Sequence, residues 1–307
     1  MRILTAAFVA LVVALVAATR LSAQEANKAT EVIAAARKAI GSRKLDELKT
    51  LSVEANVQRN LARMQMTSDV EILLELPDKY VRTDQSNGPG MAMSGGMNTG
   101  FNGDKPIQPV QGNLAAGGGM VIRMGPAGPL PADGPKPTPE EQARMEKMVV
   151  RNAKHDLSRL MLGWFAAAHP GVGAEYTFAG EAESPDGKAY VIDAKNADGF
   201  AARLFIDQQS NLPLMVTYQA PQRQMMTMRG PGGRAGGDAQ AQIEQARSQP
   251  PVMVEHTLFF DDWRTVDGVR FPHKIRRAMG TETTEEWTIT RIKVNPKIDE
   301  KNFAVKS

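Results

Sequence analysis

TLFFDDWRTVDGVRFPHKI, residues 257–275, sets two adjacent aspartates, a tryptophan and a histidine behind an apolar run. Two readings compete. Asp261, Asp262 and His273 could form a catalytic or metal-binding cluster, or the stretch could be strand, turn and strand. A second stretch, RLFIDQQSNLPLMV at 203–216, decides between them. Both run Leu-Phe-apolar-Asp, then polar turn residues, then a proline flanked by apolar residues. Asp207 and Asp261 are expected to close strands, with Pro213 and Pro272 near the start of the next, where a missing backbone donor is tolerated. Gly268 after Asp267 supplies the positive φ of a tight hairpin turn. Neighbouring strand residues face opposite sides. Asp261 and Asp262, or Glu285 and Glu286, therefore cannot converge on one atom from strand conformation, and the architectural reading is preferred.

The same pattern extends outward. EYTFAGEAES, KAYVIDAKN, GFAARLFIDQQ, LPLMVTYQAP, PVMVEHTLFFDDW, GVRFPHKIRRAM and TTEEWTITRIKVN are strand-like runs separated by turn signals. Short strands on short turns imply an antiparallel meander. Upstream, Leu51, Val53, Ala55 and Val57 alternate, as do Val70, Ile72, Leu74 and Leu76 before a turn at Pro77 and Asp78. Two helices complete the pattern. The first, around residues 27–44, is expected to open at Thr30 and Glu31 and stop at Gly41, with Ile33, Ala36 and Ile40 on one face and Arg37 and Lys38 solvated. The second, over 138–168, has Thr138 as N-cap, Pro139 at the first position and Glu141 completing a capping box. Its apolar stripe runs Met145, Met148, Val149, Ala153, Leu157, Leu160, Met161, Trp164, Phe165 and Ala168, long enough to allow a break near Gly163, with His155 on the polar side. Residues 86–137 and 220–250 are Gly-, Pro- and Met-rich and read as mobile insertions, the first holding one short strand in GFNGDKPIQPV.

Arg2 followed by the apolar run Ile3 to Ala18 has the layout of a secretory signal peptide, cleaved after Ala23. Removing residues 1–23 takes Arg2 and Arg20 with it, so the net charge of +3 becomes +1. A nearly neutral chain with mixed signs carries no footprint for nucleic acid. The chain has no cysteine, which excludes disulfides, thiolate metal sites and cysteine nucleophiles. A soluble periplasmic domain over 24–307 is the expectation. His155, His169, His256 and His273 have no metal-ligand spacing, and there is no nucleophile elbow, P-loop or dinucleotide fingerprint. No catalytic residue, metal or cofactor is expected. Met64, Met66, Met91, Met93, Met97, Met225, Met226 and Met228 have three readings: soft Cu(I) ligands, an adaptable apolar pocket or lid, or loop composition.

The order of these elements resembles the periplasmic lipoprotein-carrier superfamily, the LolA/LolB-like outer-membrane lipoprotein-sorting proteins. The resemblance rests on EVIAAARKAIG, LPDKYVR, the glycine-centred FNGDKPI, NAKHDLSRLMLGWF, LFIDQQSNLPLMVTY, FFDDWRTVDGVRFPHKI and EWTITRIKVNPKIDEKNF. It covers most of the chain outside the two insertions. Where that family often carries a large residue after the NGD turn, this chain has Pro106 and Ile107. The resemblance implies a mainly β (α+β) fold: a curved, antiparallel, incomplete β-barrel with helices covering its open side. It implies a non-enzymatic binder of lipid or acylated lipoprotein, with envelope membrane proteins as further partners and outer-membrane lipoprotein sorting as the process served. The alternative is an envelope sensor or protein-interaction module working through the insertions. Candidate residues lining the implied apolar cavity are Ile72, Leu74, Trp164, Phe165, Leu204, Ile206, Val216, Phe260 and Trp287. An envelope enzyme using Asp261, Asp262 and His273 is the third reading.

Overall fold

Alternating apolar residues build fifteen strands among the residues that the computed structural model describes: 24–61, 64–86, 97–108, 112–116, 120–125, 128–130, 138–185, 187–221 and 252–305. In chain order the strands are β1 (Thr50–Leu61), β2 (Met64–Glu75), β3 (Lys79–Ser86), β4 (Met97–Asn102), β5 (Lys105–Pro106), β6 (Gly112–Ala116), β7 (Met120–Gly125), β8 (Gly128–Leu130), β9 (Glu175–Ser184), β10 (Gly187–Lys195), β11 (Ala201–Asp207), β12 (Pro213–Pro221), β13 (Met253–Val266), β14 (Val269–Met279) and β15 (Glu282–Val294). The helices are α1 (residues 24–40), α2 (Arg43–Asp46) and α3 (Pro139–Phe165). Twelve strands form one open sheet in the order β5-β4-β3-β2-β1-β15-β14-β13-β12-β11-β10-β9, and β6-β7-β8 form a small second one. Every pairing is antiparallel. The mainly β, antiparallel, unclosed architecture agrees with the sequence.

Cross-strand partners share a face, so the register defines the inner face. One row reads Phe101, Tyr80, Leu74 and Leu51. Another reads Val57, Trp287, Ile275 and Phe260. These residues are buried in one continuous cluster with α1 and α3. The sheet bends around α3. Lys154 Nζ lies 5.3 Å from the ring centre of Phe101 in β4, and the next residue, His155, packs 5.3 Å from Phe200 at the entry to β11. Those strands are eight positions apart in the sheet order. A flat sheet would separate them by about 38 Å at ~4.8 Å per strand, whereas adjacent helical residues rise only about 1.5 Å. On the outer face Leu73, Val81, Ile107 and Phe303 form a second, small cluster. Ile107 fills that spot, and its N–H donates to the Gly100 carbonyl at 3.1 Å.

Several local expectations are corrected. The first helix is already formed at residue 24, and Thr30 lies inside it, its hydroxyl donating to the Ala26 carbonyl at 2.9 Å. The positive-φ residue after it is Ser42 (φ 47), not Gly41. Arg37 is not simply solvated: it donates to the Phe165 carbonyl at 3.3 Å, closing the end of α3, and pairs with Asp46 at 2.6 Å. The capping box at Thr138 and Glu141 forms as read. The second helix ends at Phe165, with Ala166 left-handed, and Pro170 opens a separate 3-10 turn. There is no break at Gly163, because that glycine answers to packing: an added Cβ would sit 2.0 Å from Phe260 Cζ. His155 is buried rather than on the polar side. Of the apolar stripe, Met145, Met148 and Val149 are only half-buried, while Val150 reaches the core.

GFNGDKPIQPV contributes two strands of a hairpin, β4 and β5, rather than one, and β6 to β8 lie within the stretch read as loop. Residues 1–23, read as a signal peptide, residues 222–251 and the remainder of the first insertion lie outside the described residues, as do Met91, Met93, Met225, Met226 and Met228. No helix among the described residues is long and apolar enough to cross a membrane.

Candidate functional site

The opening stretch is a β-hairpin. Asp267 (φ 51) and Gly268 (φ 84) form its two-residue turn between the paired Val266 and Val269. Asp207 ends β11 as expected, and its carboxylate accepts from the Ser210 N–H at 2.6 Å and the Gln209 N–H at 3.1 Å. Asp261 does not close its strand, since β13 runs on to Val266. Pro272 is the fourth residue of β14, opposite Trp263, and is tolerated because the β14–β15 register begins only at Lys274. Asp262 departs from strand geometry with φ 55, and its carboxylate is held by Arg264 at 3.0 and 2.6 Å. That guanidinium holds the Asp262 carboxyl below its ordinary range. Asp261 accepts from the Asp262 N–H at 3.1 Å. His273 is buried in the Val269, Phe271, Ile275 alternation, beside the Phe271 carbonyl at 3.2 Å from Nδ1. Asp261 and Asp262 are each held by a neighbour in the chain, and no group of three metal-ligating side chains occurs among the described residues.

Ile72, Leu74, Trp164, Phe165, Leu204, Ile206, Val216, Phe260 and Trp287 all belong to the one buried cluster on the inner face. Helix α3 brings Trp164 and Phe165 there, 6.1 Å apart edge to face, with Phe165 packed 6.1 Å from Phe271. Trp164 is 1% exposed, yet its indole N–H has no acceptor among the described residues. Below the end of α3, the Ser158 hydroxyl accepts from the His169 N–H at 3.1 Å. The His169 ring bridges the Gly171 N–H at 3.1 Å and the Pro77 carbonyl and meets Phe101 edge to face. Burial holds the His169 and His155 imidazoles below the usual histidine range.

The apolar face continues into charge, which the sequence reading missed. The row across seven strands reads Arg59, Glu285, Arg277, Leu258, Val216, Leu204 and Ile192. Arg59 pairs with Asp84 and with Glu285 at 3.2 Å, and donates to the Ser68 hydroxyl at 2.6 Å. Arg82 forks onto Asp84 at 2.8 and 2.9 Å and lies 4.6 Å from the Trp287 ring centre. Glu285 also accepts from the Trp287 indole at 3.1 Å. Burial alone would raise the Glu285 pKa, but Arg277, Arg82, the indole and Arg59 together hold it at about 2. Burial pushes the Tyr80 phenol up to about 12, with Arg82 and Arg277 opposing and Asp156 and Asp84 adding to the shift. The signal was present: Arg59, Arg82, Arg277 and Glu285 are in phase with buried apolar residues of their own strands. Glu285 and Glu286 do face opposite sides, Glu286 being exposed.

No family model matches the sequence, and no curated protein matches it. Among solved structures, the chain is similar to a LolA superfamily protein from Nitrosomonas europaea, at 11% identity over 90% of this chain and 97% of that one, with a TM-score of 0.47. It is similar to an outer membrane lipoprotein-sorting protein domain from Vibrio parahaemolyticus, at 13% identity over 91% and 97%, with a TM-score of 0.48. A DUF1329 family protein from Desulfovibrio piger is similar at 11% identity over 90% and 96%, with a TM-score of 0.48. All three share only 11–13% of their residues with this chain, and no ligand follows from them.

Proposed function

We propose that this chain is a non-catalytic, exported binding protein for an amphiphile, a lipid or a lipidated protein. The ligand is held between the inner face of the curved sheet and α3, which acts as the cover of its open side. The 1–23 segment directs the chain to the periplasm. The observation that carries this reading is Trp164, an indole N–H buried in an apolar cluster with no acceptor among the described residues. Such a group costs about 1–3 kcal/mol, a cost that the ester or amide carbonyl of an acyl ligand would offset. Ile72, Leu74, Phe165, Leu204, Ile206, Val216, Phe260 and Trp287 are the proposed apolar lining around it.

The test sets the urea midpoint of Trp164→Ala beside its affinity for a fluorescent fatty acid, with lipid extraction of the purified wild type as a second measurement. The expected result is bound lipid in the wild type and weakened probe binding in the variant. A stability loss of roughly 3–5 kcal/mol with unchanged probe binding would make Trp164 ordinary core and overturn the reading. So would a wild type that carries no lipid and binds no probe.

A second reading has its own support. The ends of β3 (Ser86), β4 (Met97), β12 (Pro221) and β13 (Met253) lie at the same end of the sheet as the β1–β2 connection. Both insertions therefore leave from one rim, as a protein-interaction or envelope-sensing surface would require. Deleting 87–96 and 222–251 together should abolish capture of an envelope protein partner while leaving the fold intact. A deletion strain that behaves as wild type would remove this reading.

A further inference from the structure

The charged end of the inner face does not balance. Among the described residues Arg59, Arg82 and Arg277 pair with two carboxylates, Asp84 and Glu285. Asp84 is taken by Arg82 and Arg59, and Glu285 by Arg59 and the Trp287 indole. Arg277 Nε forms an ion pair with Glu285 at 3.7 Å, too long for a hydrogen bond, and is buried with no acceptor among the described residues. A second guanidinium arrives from the helix. Arg159 lies 4.1 Å from the ring centre of Tyr218 on β12, with one terminal nitrogen 2.5 Å from the exposed Asp156 carboxylate, and its buried Nε also lacks an acceptor.

Three guanidinium groups against two carboxylates leave this end of the inner face one positive charge in excess, and the buried Nε–H groups of the half-buried Arg277 and Arg159 have no acceptor among the described residues, although each side chain keeps an ion pair to Glu285 or Asp156. The planar guanidinium fork matches a carboxylate or phosphate oxygen pair. Register fixes where such a group would sit relative to the wall. Arg277 is directly opposite Leu258, which is opposite Val216, which is opposite Leu204. A chain lying along those three residues ends at Arg277. The α3 side is set by Arg159, which lies on Tyr218, two residues along β12 from Val216 and therefore on the same face.

We propose that Arg277 and Arg159 form a subsite for the anionic group of the ligand, a carboxylate or phosphate whose apolar chain lies along Leu258, Val216 and Leu204. This rests on the amphiphile reading above and names the chemistry of the head group. The test titrates the full chain with a fluorescent long-chain fatty acid and with the methyl ester of the same molecule, and separately with inorganic phosphate. The wild type should bind the acid about tenfold tighter than the ester. Arg277→Gln and Arg159→Gln should each lose that preference while keeping the affinity for the ester. If Arg277→Gln fails to fold, Arg159→Gln and the wild-type acid-to-ester ratio carry the comparison.

Equal binding of acid and ester by the wild type, or a preference that survives in the folded Gln variants, would overturn the subsite and leave the amphiphile reading standing. Binding of neither probe would overturn both. Inorganic phosphate that binds the wild type and is lost in the Gln variants, with no preference for acid over ester, would assign the arginines to a free oxyanion and overturn the lipid head-group assignment.

Discussion

At the scale of single residues, two positions show packing and charge overruling local preference. Gly163 sits inside a continuous helix, where alanine would be favoured by about 1 kcal/mol. Its missing side chain makes room for the Phe260 ring, which an added Cβ would meet at 2.0–2.3 Å. Overpacking of a core costs about 1–3 kcal/mol, so Gly163→Ala should lower the urea midpoint despite its better helix propensity. A raised midpoint would show that Phe260 can move aside. Glu285 is the second case. Its folded pKa of about 2 lies below the ordinary carboxylate value of 4.5. Its contribution is therefore full above about pH 4.5 and is lost as the pH falls towards 2. Glu285→Gln should cost about 3 kcal/mol at neutral pH and should flatten the acid limb of a stability-against-pH curve. An unchanged acid limb would locate the acid sensitivity elsewhere.

At the scale of elements, α3 is fixed at its exit more than at its start. Its first turns are exposed, whereas residues 157–165 are buried or nearly so. Arg37 donates to its last carbonyl, that of Phe165, and Ser158 and His169 tie the following segment to Pro77 at the β2–β3 turn. His169 and His155 both have folded pKa values lowered by burial. Histidines held neutral in the fold destabilise it once the unfolded chain can protonate. Stability should be full above about pH 6.5 and fall as the pH drops below it. Midpoints measured at about pH 7.5 and about pH 5.5 should differ for the wild type and differ less for His155→Gln/His169→Gln. A double variant that keeps the whole pH difference would rule out these two side chains as its source.

At the scale of the whole molecule, the sheet is two meanders joined by one distant pairing. Within the described sheet, strands β1 to β5 are hydrogen-bonded to β9–β14 through β15, which pairs with β1 on one side and β14 on the other. Removing residues 282–307 should leave two half-sheets and abolish cooperative unfolding, measured by circular dichroism in urea. A single sharp transition in that truncated chain would mean that the halves join without β15.

Local patterning in the sequence was enough for the long strands outside the two insertions, the hairpin at Asp267 and Gly268, the capping box at Thr138 and the inward phase of residues such as Ile72, Leu204 and Trp287. These follow from periodicity, turn chemistry and caps, all of which act over a few residues. The sequence did not decide that Arg59 meets Glu285 across 226 positions, that Gly163 faces Phe260, that His155 packs on Phe200, or that both insertions leave one rim. Each depends on which strand lies beside which and on how sharply the sheet bends. Those features come from non-local pairing and from burial of the whole inner face, and no single segment encodes them.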